Sequence, residues 1–397
     1  MTRSIVILGG GIVGSALAAY LCEQGGLMVT VLEAGPPERL IGSTGHAPGY
    51  LGVFNEVSVA TELARASAEK YEQIRYGGRA GFDRVGGLEV ATTPGGMADL
   101  ERRATLAVEA GVPVRVLAPE QAASAAPALV DPRRCTGGLL YPHDGTTRAD
   151  VITAALRERA VESGARFVYA ARAIGIETHA DRVTAARTAT AAFPADDVVV
   201  ACGIWGPAVL AVVGQILPLT PVAHPYVYGP AHGKLRGNSA FVRWPEHHVY
   251  ARDHGDRFGL GTYDHNPLAV DIAARATDAE QPWVAAEFDP AVTAALDLLP
   301  AVSRFDPERR LNGVFSMTPD NLPLLGPTED IAGLWVAEAL WVTHACGAAR
   351  ALVQMMTDRP SEIRGLERLR PGRFAGQSAE LCTERALRLY RDIYATT

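Results

Sequence analysis

The sequence predicts an α/β fold in which a domain on a parallel sheet is interleaved with an α+β domain on a mainly antiparallel sheet. Three observations predict this arrangement. A glycine-rich turn at residues 9–14 directly follows the apolar residues 4–8. Two further apolar stretches, 198–201 and 334–337, are typical of strands buried in a parallel sheet. The segment 220–263 instead has short strands rich in histidine and tyrosine, which indicates a separate antiparallel sheet.

The glycine-rich turn has the sequence of a phosphate-binding turn between a strand and a helix. Gly9 permits the tight turn, Gly11 lets the backbone approach a pyrophosphate, and Gly14 lets the helix pack closely on the strand. The next predicted strand, 28–32, ends at Glu33, nineteen residues after Gly14. A carboxylate at this place suits ribose hydroxyls and disfavours the 2′-phosphate of NADP. The unit therefore predicts a Rossmann-like dinucleotide site, the alternative being a glycine turn without a ligand.

Length, charge and cysteine content limit the kinds of partner that we expect. The 397 residues are enough for two domains, and 48% hydrophobic with 20% charged residues is ordinary for a globular protein. A formal net charge of -7 gives no electrostatic basis for binding nucleic acid or an anionic membrane. The five cysteines form no C-x-x-C pair, which argues against a disulfide framework and favours the reducing cytoplasm. We therefore expect a cytoplasmic protein that acts on a small molecule.

Neither a secretion signal nor a membrane span is expected. The first strand starts too close to Met1 to leave room for a signal peptide. Residues 198–223 contain no charged residue, but glycines and prolines interrupt them. A buried strand, a turn and a short core helix are expected there instead.

The remaining pattern predicts further elements and an interleaved domain order. Helices are expected at 12–23, 61–75, 102–110, 149–163 and 379–395, with an apolar helix ending at 356. Strands are expected at 85–92, 137–141, 166–176 and 182–188. The nucleotide-binding domain is expected at 1–85, 145–219 and 312–370, the substrate domain at 86–144 and 220–311, and a C-terminal helical extension at 371–397.

In the order of its motifs the chain resembles the FAD-dependent amine oxidoreductases of the D-amino-acid-oxidase superfamily. Within it, the chain resembles the group of dimethylglycine oxidase, dimethylglycine dehydrogenase and sarcosine dehydrogenase. Besides the opening glycines and Glu33, the resemblance rests on residues 42–49 (GSTGHAPG), 86–93 (GGLEVATT), 223–226 (AHPY), 254–257 (HGDR), 261–263 (GTY), 312–320 (NGVFSMTPD) and 336–344 (VAEALWVTH).

The resemblance implies an FAD-binding domain and the residues that hold the cofactor. In this group the histidine that matches His46 carries a covalent bond to the flavin, the alternative being a loop histidine that contacts a non-covalent flavin. Gly45 stands where the family often has a bulkier residue, and residues 321–323 depart from the family's small-residue pattern. The expected cofactor contacts are Gly9, Gly11, Ile12, Val13, Gly14, Glu33, Ala34, Ser43, Thr44, His46, Ala47, Ala173, Ala201, Gly203, Trp205, Thr318, Leu340, Trp341, Thr343 and His344.

The resemblance also implies a substrate cavity on the antiparallel sheet. His224 and Tyr263 match positions that line it, and we expect them to be catalytic, because a histidine near a substrate amine accepts or redirects its proton. The alternatives are a core histidine and a tyrosine packed on the sheet. No metal is expected, since flavin chemistry requires none and the other histidines lack zinc spacing. These histidines, expected on the surface or on strands, are His247, His248, His254 and His265.

The leading hypothesis is oxidation of a C–N bond in a secondary or tertiary amine, such as sarcosine or dimethylglycine. Hydride passes to flavin N5, the imine hydrolyses, and oxygen or another acceptor reoxidises the flavin. The alternatives are a D-amino-acid or 2-hydroxy-acid oxidase or dehydrogenase, and a nucleotide-binding protein without redox turnover. Candidate partners for a substrate carboxylate are Arg243, Arg252 and Arg257, although Arg257 beside Asp256 is equally a surface ion pair.

Chain length also enters the hypothesis. Larger members of the family continue into a folate-binding domain that captures the one-carbon product. We therefore expect this shorter chain to act without that domain and to release its imine or formaldehyde. Its oligomeric state is left open.

Overall fold

The computed structural model describes residues 2–233, 239–272 and 278–393, so the predicted end of the last helix at 395 lies outside the described residues. The helices are α1 Ile12–Cys22, α2 Ser58–Glu72, α3 Pro94–Glu109, α4 Pro119–Ala125, α5 Ala149–Glu162, α6 Gly206–Ala211, α7 Ala285–Leu296, α8 Ala345–Met356 and α9 Ala379–Arg391. The strands are β1 Arg3–Leu8, β2 Leu27–Leu32, β3 Tyr50–Leu51, β4 Arg75–Tyr76, β5 Arg79–Ala80, β6 Phe82–Asp83, β7 Gly87–Ala91, β8 Arg115–Leu117, β9 Gly137–Tyr141, β10 Gly145–Thr147, β11 Arg166–Val168, β12 Ala173–His179, β13 Arg182–Thr188, β14 Ala192–Pro194, β15 Asp197–Val200, β16 Thr220–Tyr228, β17 Phe241–Trp244, β18 Val249–Asp253, β19 Phe258–Thr262, β20 Arg309–Met317, β21 Leu324–Pro327 and β22 Leu334–Glu338.

The parallel sheet has six strands in the order β11-β2-β1-β15-β22-β21. Its first five strands are parallel, and β21 pairs antiparallel with β22. Ile5 and Ile7 of β1 pack in a core with α1, α5 and α8, whereas Val6 and Leu8 pack in a second core with α6 and β13. Burial on both faces explains the unbroken apolar runs of these strands at residues 5–8, 198–200 and 334–337.

Parallel pairing places the carboxyl ends of the central strands at one edge of this sheet. The edge carries Gly9 after β1, Glu33 after β2, Ala201 after β15 and Ala339 after β22. Ligands of such sheets bind outside this edge. The fold thus brings together residues from distant parts of the sequence at the place where a dinucleotide is expected.

The second large sheet has eight strands in the order β20-β16-β19-β18-β17-β7-β9-β8. All its pairs are antiparallel except the parallel pair of β17 with β7. The antiparallel arrangement expected for residues 220–263 is therefore present. Strand β20, Arg309–Met317, pairs with β16 along its whole length and crosses the domain boundary that we expected between 311 and 312.

Two predicted elements differ from the structure for local reasons. The helix expected at 102–110 is longer and begins at Pro94, because the Thr93 side chain caps it by accepting a backbone N–H. The strand expected at 166–176 is split into β11 and β12, and Ala170 between them has a left-handed φ of 52°. This turn lets β12 leave the parallel sheet and pair with β13.

The uncharged stretch 198–223 forms the end of β15, the short helix α6 and the start of β16, as expected. Across the described part of the chain, no helix combines the length and the apolar character that a membrane crossing requires. The cysteines at 22, 135, 202, 346 and 382 are all free thiols.

Candidate functional site

The turn between β1 and α1 has the backbone that its glycines predict. Gly9 has a φ of 102°, in the region that favours glycine, and its N–H donates to the Leu32 carbonyl at 2.8 Å. A Cβ at Gly14 would overlap the carbonyl oxygen of Gly9, so α1 approaches the turn this closely only with glycine there. The first turn of α1 lies at the sheet edge and its N–H groups have no carbonyl partner within the helix; the Ile12 N–H donates to the Thr44 hydroxyl at 3.2 Å. Such N–H groups form anion sites.

Glu33 is held at the end of β2 by two backbone groups. It is 7% exposed, and its carboxylate accepts the Gly10 N–H at 2.7 Å and the Gly35 N–H at 2.6 Å. A carboxylate accepts about four hydrogen bonds. The two backbone bonds therefore fix its position and leave capacity for ribose hydroxyls.

Arg157 supports the same turn, and the sequence analysis missed it. This buried side chain on α5 donates to the Gly10 carbonyl at 2.6 Å and to the Pro37 carbonyl at 3.2 Å. The available signal was an arginine on the apolar face of the helix predicted at 149–163.

A cavity of about 420 Å³ extends from this turn to the eight-stranded sheet. Both predicted catalytic residues, His224 and Tyr263, line it. So do all the predicted cofactor contacts except Gly14 and Thr318. The lining contacts are Gly9, Gly11, Ile12, Val13, Glu33, Ala34, Ser43, Thr44, His46, Ala47, Ala173, Ala201, Gly203, Trp205, Leu340, Trp341, Thr343 and His344.

Gly14 and Thr318 lie behind the cavity wall. Gly14 packs against the glycine turn, as described above. Thr318 is 1% exposed, and its hydroxyl lies 2.9 Å from the Leu322 carbonyl and 3.2 Å from the Asp320 carboxylate. Thr318 therefore holds the turn at Asn321, which has a left-handed φ of 58° and lines the cavity itself.

The loop that carries His46 is fixed by close packing. The Ser43 hydroxyl donates to the Val314 carbonyl at 2.9 Å, which ties the loop to β20. A Cβ at Gly45 would overlap the carbonyl oxygen of Leu40. This contact explains why the chain has glycine at this position.

The imidazole of His46 faces the cavity and is mostly buried, with 12% of its side chain exposed. Burial, assisted by the charges of Arg309 and Arg39, lowers the pKa of His46 to about 4. Its Nε2 lies 3.9 Å from a carboxylate oxygen of both Asp278 and Glu280, and its Nδ1 has no hydrogen-bond partner among the described residues. The ring is therefore neutral at physiological pH and has an unshared lone pair, as a nucleophile requires.

His224 lies on β16 and is bonded on both ring nitrogens. Its Nε2 is 2.7 Å from the Tyr250 hydroxyl and its Nδ1 is 2.7 Å from the Tyr390 hydroxyl of α9. Burial, with a smaller effect of nearby His265, lowers the pKa of His224 well below its ordinary value. His224 lines the cavity, as expected for a catalytic residue. It is also a hydrogen-bonded core histidine, which was the alternative expectation.

Tyr263 and Tyr250 complete this end of the cavity. Tyr263 is 6% exposed, and its ring centroid lies 4.6 Å from that of His224. Tyr250, which the sequence analysis did not select, lines the cavity beside them. Position 250 follows the strand pattern of β18, and no motif distinguishes it from the other tyrosines of this sheet.

A buried cluster of charged groups lies beside Tyr250. Glu89 is 1% exposed and bonds Arg103 through two hydrogen bonds of 3.0 and 3.1 Å and Arg243 through one of 2.6 Å. Arg243 also lies 4.7 Å above the ring of Tyr50. Both arginines line the cavity, whereas Glu89 does not. The cluster thus places two guanidinium groups at this wall of the cavity.

The other two arginines considered from sequence have different surroundings. Arg252 is buried and donates to the Pro48 carbonyl at 2.5 Å and to the Thr147 carbonyl at 3.3 Å, below the His46 loop. Arg257 pairs with Asp256 at 3.4 Å and with Glu308 at 3.3 Å, outside the cavity lining. The alternative of a surface ion pair therefore describes Arg257.

The other four histidines that were considered from the sequence differ in their contacts. His247 contacts the Thr92 hydroxyl at 2.8 Å, and His248 has a left-handed φ of 54°. His254 bonds the Tyr226 hydroxyl at 2.8 Å, and His265, which is 6% exposed, bonds Tyr390 at 2.9 Å. None of these four histidines lies in a strand, and the expectation of a surface or strand position is wrong for His265, which is also buried. Within the described ranges, no cluster of three or more histidine, cysteine, aspartate or glutamate side chains is placed to hold a metal ion.

Residues 4–355 match the model of the DAO family, described as FAD dependent oxidoreductase. The chain is 27% identical over 362 residues to mitochondrial dimethylglycine dehydrogenase of Mus musculus, covering 87% of this chain and 41% of that protein. It is also 27% identical over 349 residues to mitochondrial sarcosine dehydrogenase of Homo sapiens, covering 84% of this chain and 37% of that protein. The chain thus spans less than half the length of both relatives.

Among solved structures, L-proline dehydrogenase from P. horikoshii is similar to this chain with a TM-score of 0.81. The sequence identity is 21%, and the match covers 94% of this chain and 98% of that chain. This likeness concerns the fold.

Proposed function

Because the chain belongs to the FAD dependent oxidoreductase family, we propose that it oxidises a C–N bond of an N-methylated amino acid such as sarcosine or dimethylglycine. Family membership supports a flavin enzyme, and the dehydrogenases named above support action on an amine or amino acid. The narrower choice is supported by the names of the two dehydrogenases above and by the chemistry of the cavity.

The cavity fits FAD as the cofactor. Its glycine turn and Glu33 suit a pyrophosphate and a ribose, as argued above. Two buried polar atoms of lining residues, His46 Nδ1 and Trp205 Nε1, have no partner among the described residues. A buried polar atom without a protein partner requires another one, and a bound cofactor can supply it. When bound, FAD supplies a hydride acceptor that oxygen or another electron acceptor reoxidises.

The proposal is carried by the pairing of a positively charged arginine side chain with a neutral tyrosine side chain on two neighbouring strands. Arg243 of β17 lies directly opposite Tyr250 of β18, and both residues line the cavity. Such cross-strand neighbours have Cβ atoms about 4.5–5.5 Å apart. An α-amino acid joins its carboxylate and its amine nitrogen through a single carbon, so two neighbouring residues of one cavity wall can bind both groups. We therefore assign the carboxylate to Arg243, supported by Arg103, and the amine to the side of Tyr250, His224 and Tyr263.

Neutral groups at the amine end suit the oxidation of an amine. An amine must lose its ammonium proton before its carbon gives up a hydride. Burial keeps His224 neutral, so the site adds no positive charge beside the nitrogen. The surrounding aromatic rings of Tyr263 and Phe315 suit N-methyl groups, which are apolar.

Anaerobic mixing of the holoenzyme with matched amines tests the proposal. Sarcosine and dimethylglycine are compared with dimethylamine and trimethylamine, which lack only the carboxylate. We expect at least one acid to bleach the flavin and to bind tighter than its amine by about 1.5–3 kcal/mol, the range for a hydrogen bond to a charged group. Arg243→Gln removes this preference, and Arg257→Gln, outside the cavity, is the control that keeps it.

Other outcomes of the same experiment favour the alternatives. Bleaching only by D-amino acids or 2-hydroxy acids replaces the proposal with an oxidase or dehydrogenase of those substrates. A colourless protein that no donor changes is a nucleotide-binding protein without redox turnover.

We also propose a cytoplasmic location, which the five free thiols support because thiols persist in reducing compartments.

A further inference from the structure

Four side chains form a continuous hydrogen-bonded chain that leads from the cavity into the protein. Tyr250 bonds His224 Nε2 at 2.7 Å, and His224 Nδ1 bonds Tyr390 at 2.7 Å. Tyr390 bonds His265 Nε2 at 2.9 Å, and His265 Nδ1 lies 2.8 Å from the Asn266 carbonyl. Tyr250 and His224 line the cavity, whereas Tyr390 and His265 lie behind them.

The carbonyl at the far end fixes the direction of every bond in this chain. A carbonyl only accepts, so His265 Nδ1 carries a hydrogen, and in a neutral ring its Nε2 then accepts from Tyr390. The Tyr390 oxygen is left to accept from His224 Nδ1–H. His224 Nε2 therefore accepts the hydrogen of Tyr250. The Tyr250 oxygen consequently faces the cavity as an acceptor.

Both histidines are neutral for the same physical reason. Burial lowers the pKa of His224 and of His265 below their ordinary values. Neutral rings are required for this direction, because a charged imidazole donates through both nitrogens.

We propose that this chain of hydrogen bonds moves a proton from the ammonium group of the bound substrate to His265. This step rests on the proposed function, because it supplies the neutral amine that oxidation requires. The substrate N–H proton passes to the Tyr250 oxygen, and the Tyr250 proton passes to His224 Nε2. The His224 Nδ1 proton passes to Tyr390, and the Tyr390 proton passes to His265 Nε2. One N–H bond of the substrate breaks, one N–H bond forms on His265, and no electrons are transferred.

The surroundings of His265 suit the end of such a route. Burial has the largest effect and lowers the pKa of His265, whereas the Asn266 carbonyl, Glu287 of α7 and Asp264 beside it favour the charged form, and Arg391 of α9 opposes it. Asp264 is exposed to solvent, so a proton on His265 has a carboxylate beside it at the surface. His224 and Tyr390, which are further titratable neighbours of His265 among the described residues, belong to the hydrogen-bonded chain itself.

The pH dependence of flavin reduction separates this role from simple packing. His265→Gln keeps an acceptor for the Tyr390 hydroxyl but removes the base, and Tyr390→Phe breaks the chain in the middle. With the best N-methyl substrate we expect both variants to reduce about 10²-fold slower at pH 7, the scale of a positioned base. The rate should recover towards high pH, where the free amine binds already neutral. Tyr228→Phe is the control and should keep the wild-type pH profile. Tyr228 is half-buried, lies on β16 like His224, and is outside the cavity lining.

Nitrogen-15 NMR of histidine-labelled protein gives a readout that does not require turnover. We expect His224 and His265 to carry their hydrogen on Nδ1, with signals assigned from the His224→Gln and His265→Gln variants. A hydrogen on Nε2 of either ring overturns the direction of the chain. Unchanged pH profiles in both His265→Gln and Tyr390→Phe overturn the relay while the proposed function stands. No reduction of the wild-type enzyme by any amine overturns the proposed function instead.

Discussion

His46 is the residue at which the cavity is best prepared for a covalent bond to the cofactor. The ring lines the cavity, its Nδ1 lacks a partner among the described residues, and its pKa is lowered to about 4. A neutral imidazole with a buried lone pair is a competent nucleophile at neutral pH. The family resemblance predicts the covalent bond at this residue, and we propose that the neutral, buried ring makes the bond feasible.

Acid precipitation of the wild-type holoenzyme should therefore leave the flavin on the protein. His46→Ala should release the flavin into the supernatant while retaining non-covalent binding through the glycine turn and Glu33. His344→Ala is the matched control, because His344 is a second buried histidine that lines the cavity, and its flavin should stay attached. Complete recovery of flavin in the wild-type supernatant would contradict the covalent bond.

At the scale of elements, strand β19 makes room for the tyrosines of the amine end. A Cβ at Gly261 would overlap the phenol of Tyr250, and a Cβ at Gly259 would overlap the hydroxyl of Tyr226. The two glycines are two positions apart along the strand, so they lie on the same face of the sheet. The position of the Tyr250 hydroxyl is thus set by the absence of a side chain on the neighbouring strand.

Gly261→Ala should displace Tyr250 and slow flavin reduction while the protein retains its FAD. Inserting a methyl group into a packed site costs about 1–3 kcal/mol, so some loss of stability is also expected. Gly175→Ala in β12 is the control, because its Cβ would meet Val212 at an ordinary 3.4 Å outside the cavity. Stopped-flow reduction and the ratio of flavin to protein measure the two effects. Equal reduction rates in Gly261→Ala and wild type would show that the phenol position does not matter.

For the whole molecule, a buried carboxyl group links stability to pH. Asp144 is 1% exposed, accepts the Tyr50 hydroxyl at 2.6 Å and accepts the Val53 N–H at 2.8 Å. Burial raises the pKa of Asp144 to about 7. The folded protein thus binds this proton more tightly than the unfolded chain. Its contribution to the free energy of unfolding is full below the ordinary aspartate pKa and is lost as the pH rises through about 7.

Asp144→Asn should flatten this pH dependence, because an amide keeps the geometry of the protonated acid without titrating. We expect the variant to have a higher melting temperature than wild type at pH 8 and a similar one near pH 4. Thermal unfolding across this range measures the effect. Asp99→Asn on the exposed face of α3 is the control and should follow the wild-type curve. A wild-type slope in Asp144→Asn would rule out Asp144 as the titrating group.

The sequence by itself determined the features that depend on local backbone geometry. The glycine turn, Glu33 at the end of β2 and the loop of His46 were all found from short motifs, because each needs particular residues at fixed spacing. The family blocks then placed His224 and Tyr263 on the cavity before any contact was known. Apolar runs identified the buried strands for the same reason, since burial on both faces selects residue type position by position.

Only the tertiary structure decided how these residues act together. Of the two partners of His224, Tyr250 is 26 residues away in the sequence and Tyr390 is 166 residues away. No spacing rule connects these three positions. Arg157 likewise reaches Gly10 across 147 residues. Which group donates in a hydrogen bond depends on the neighbours of that bond in space. In the hydrogen-bonded series from Tyr250 to His265, the Asn266 carbonyl sets the direction of every bond. Such information arises only when distant segments pack against each other.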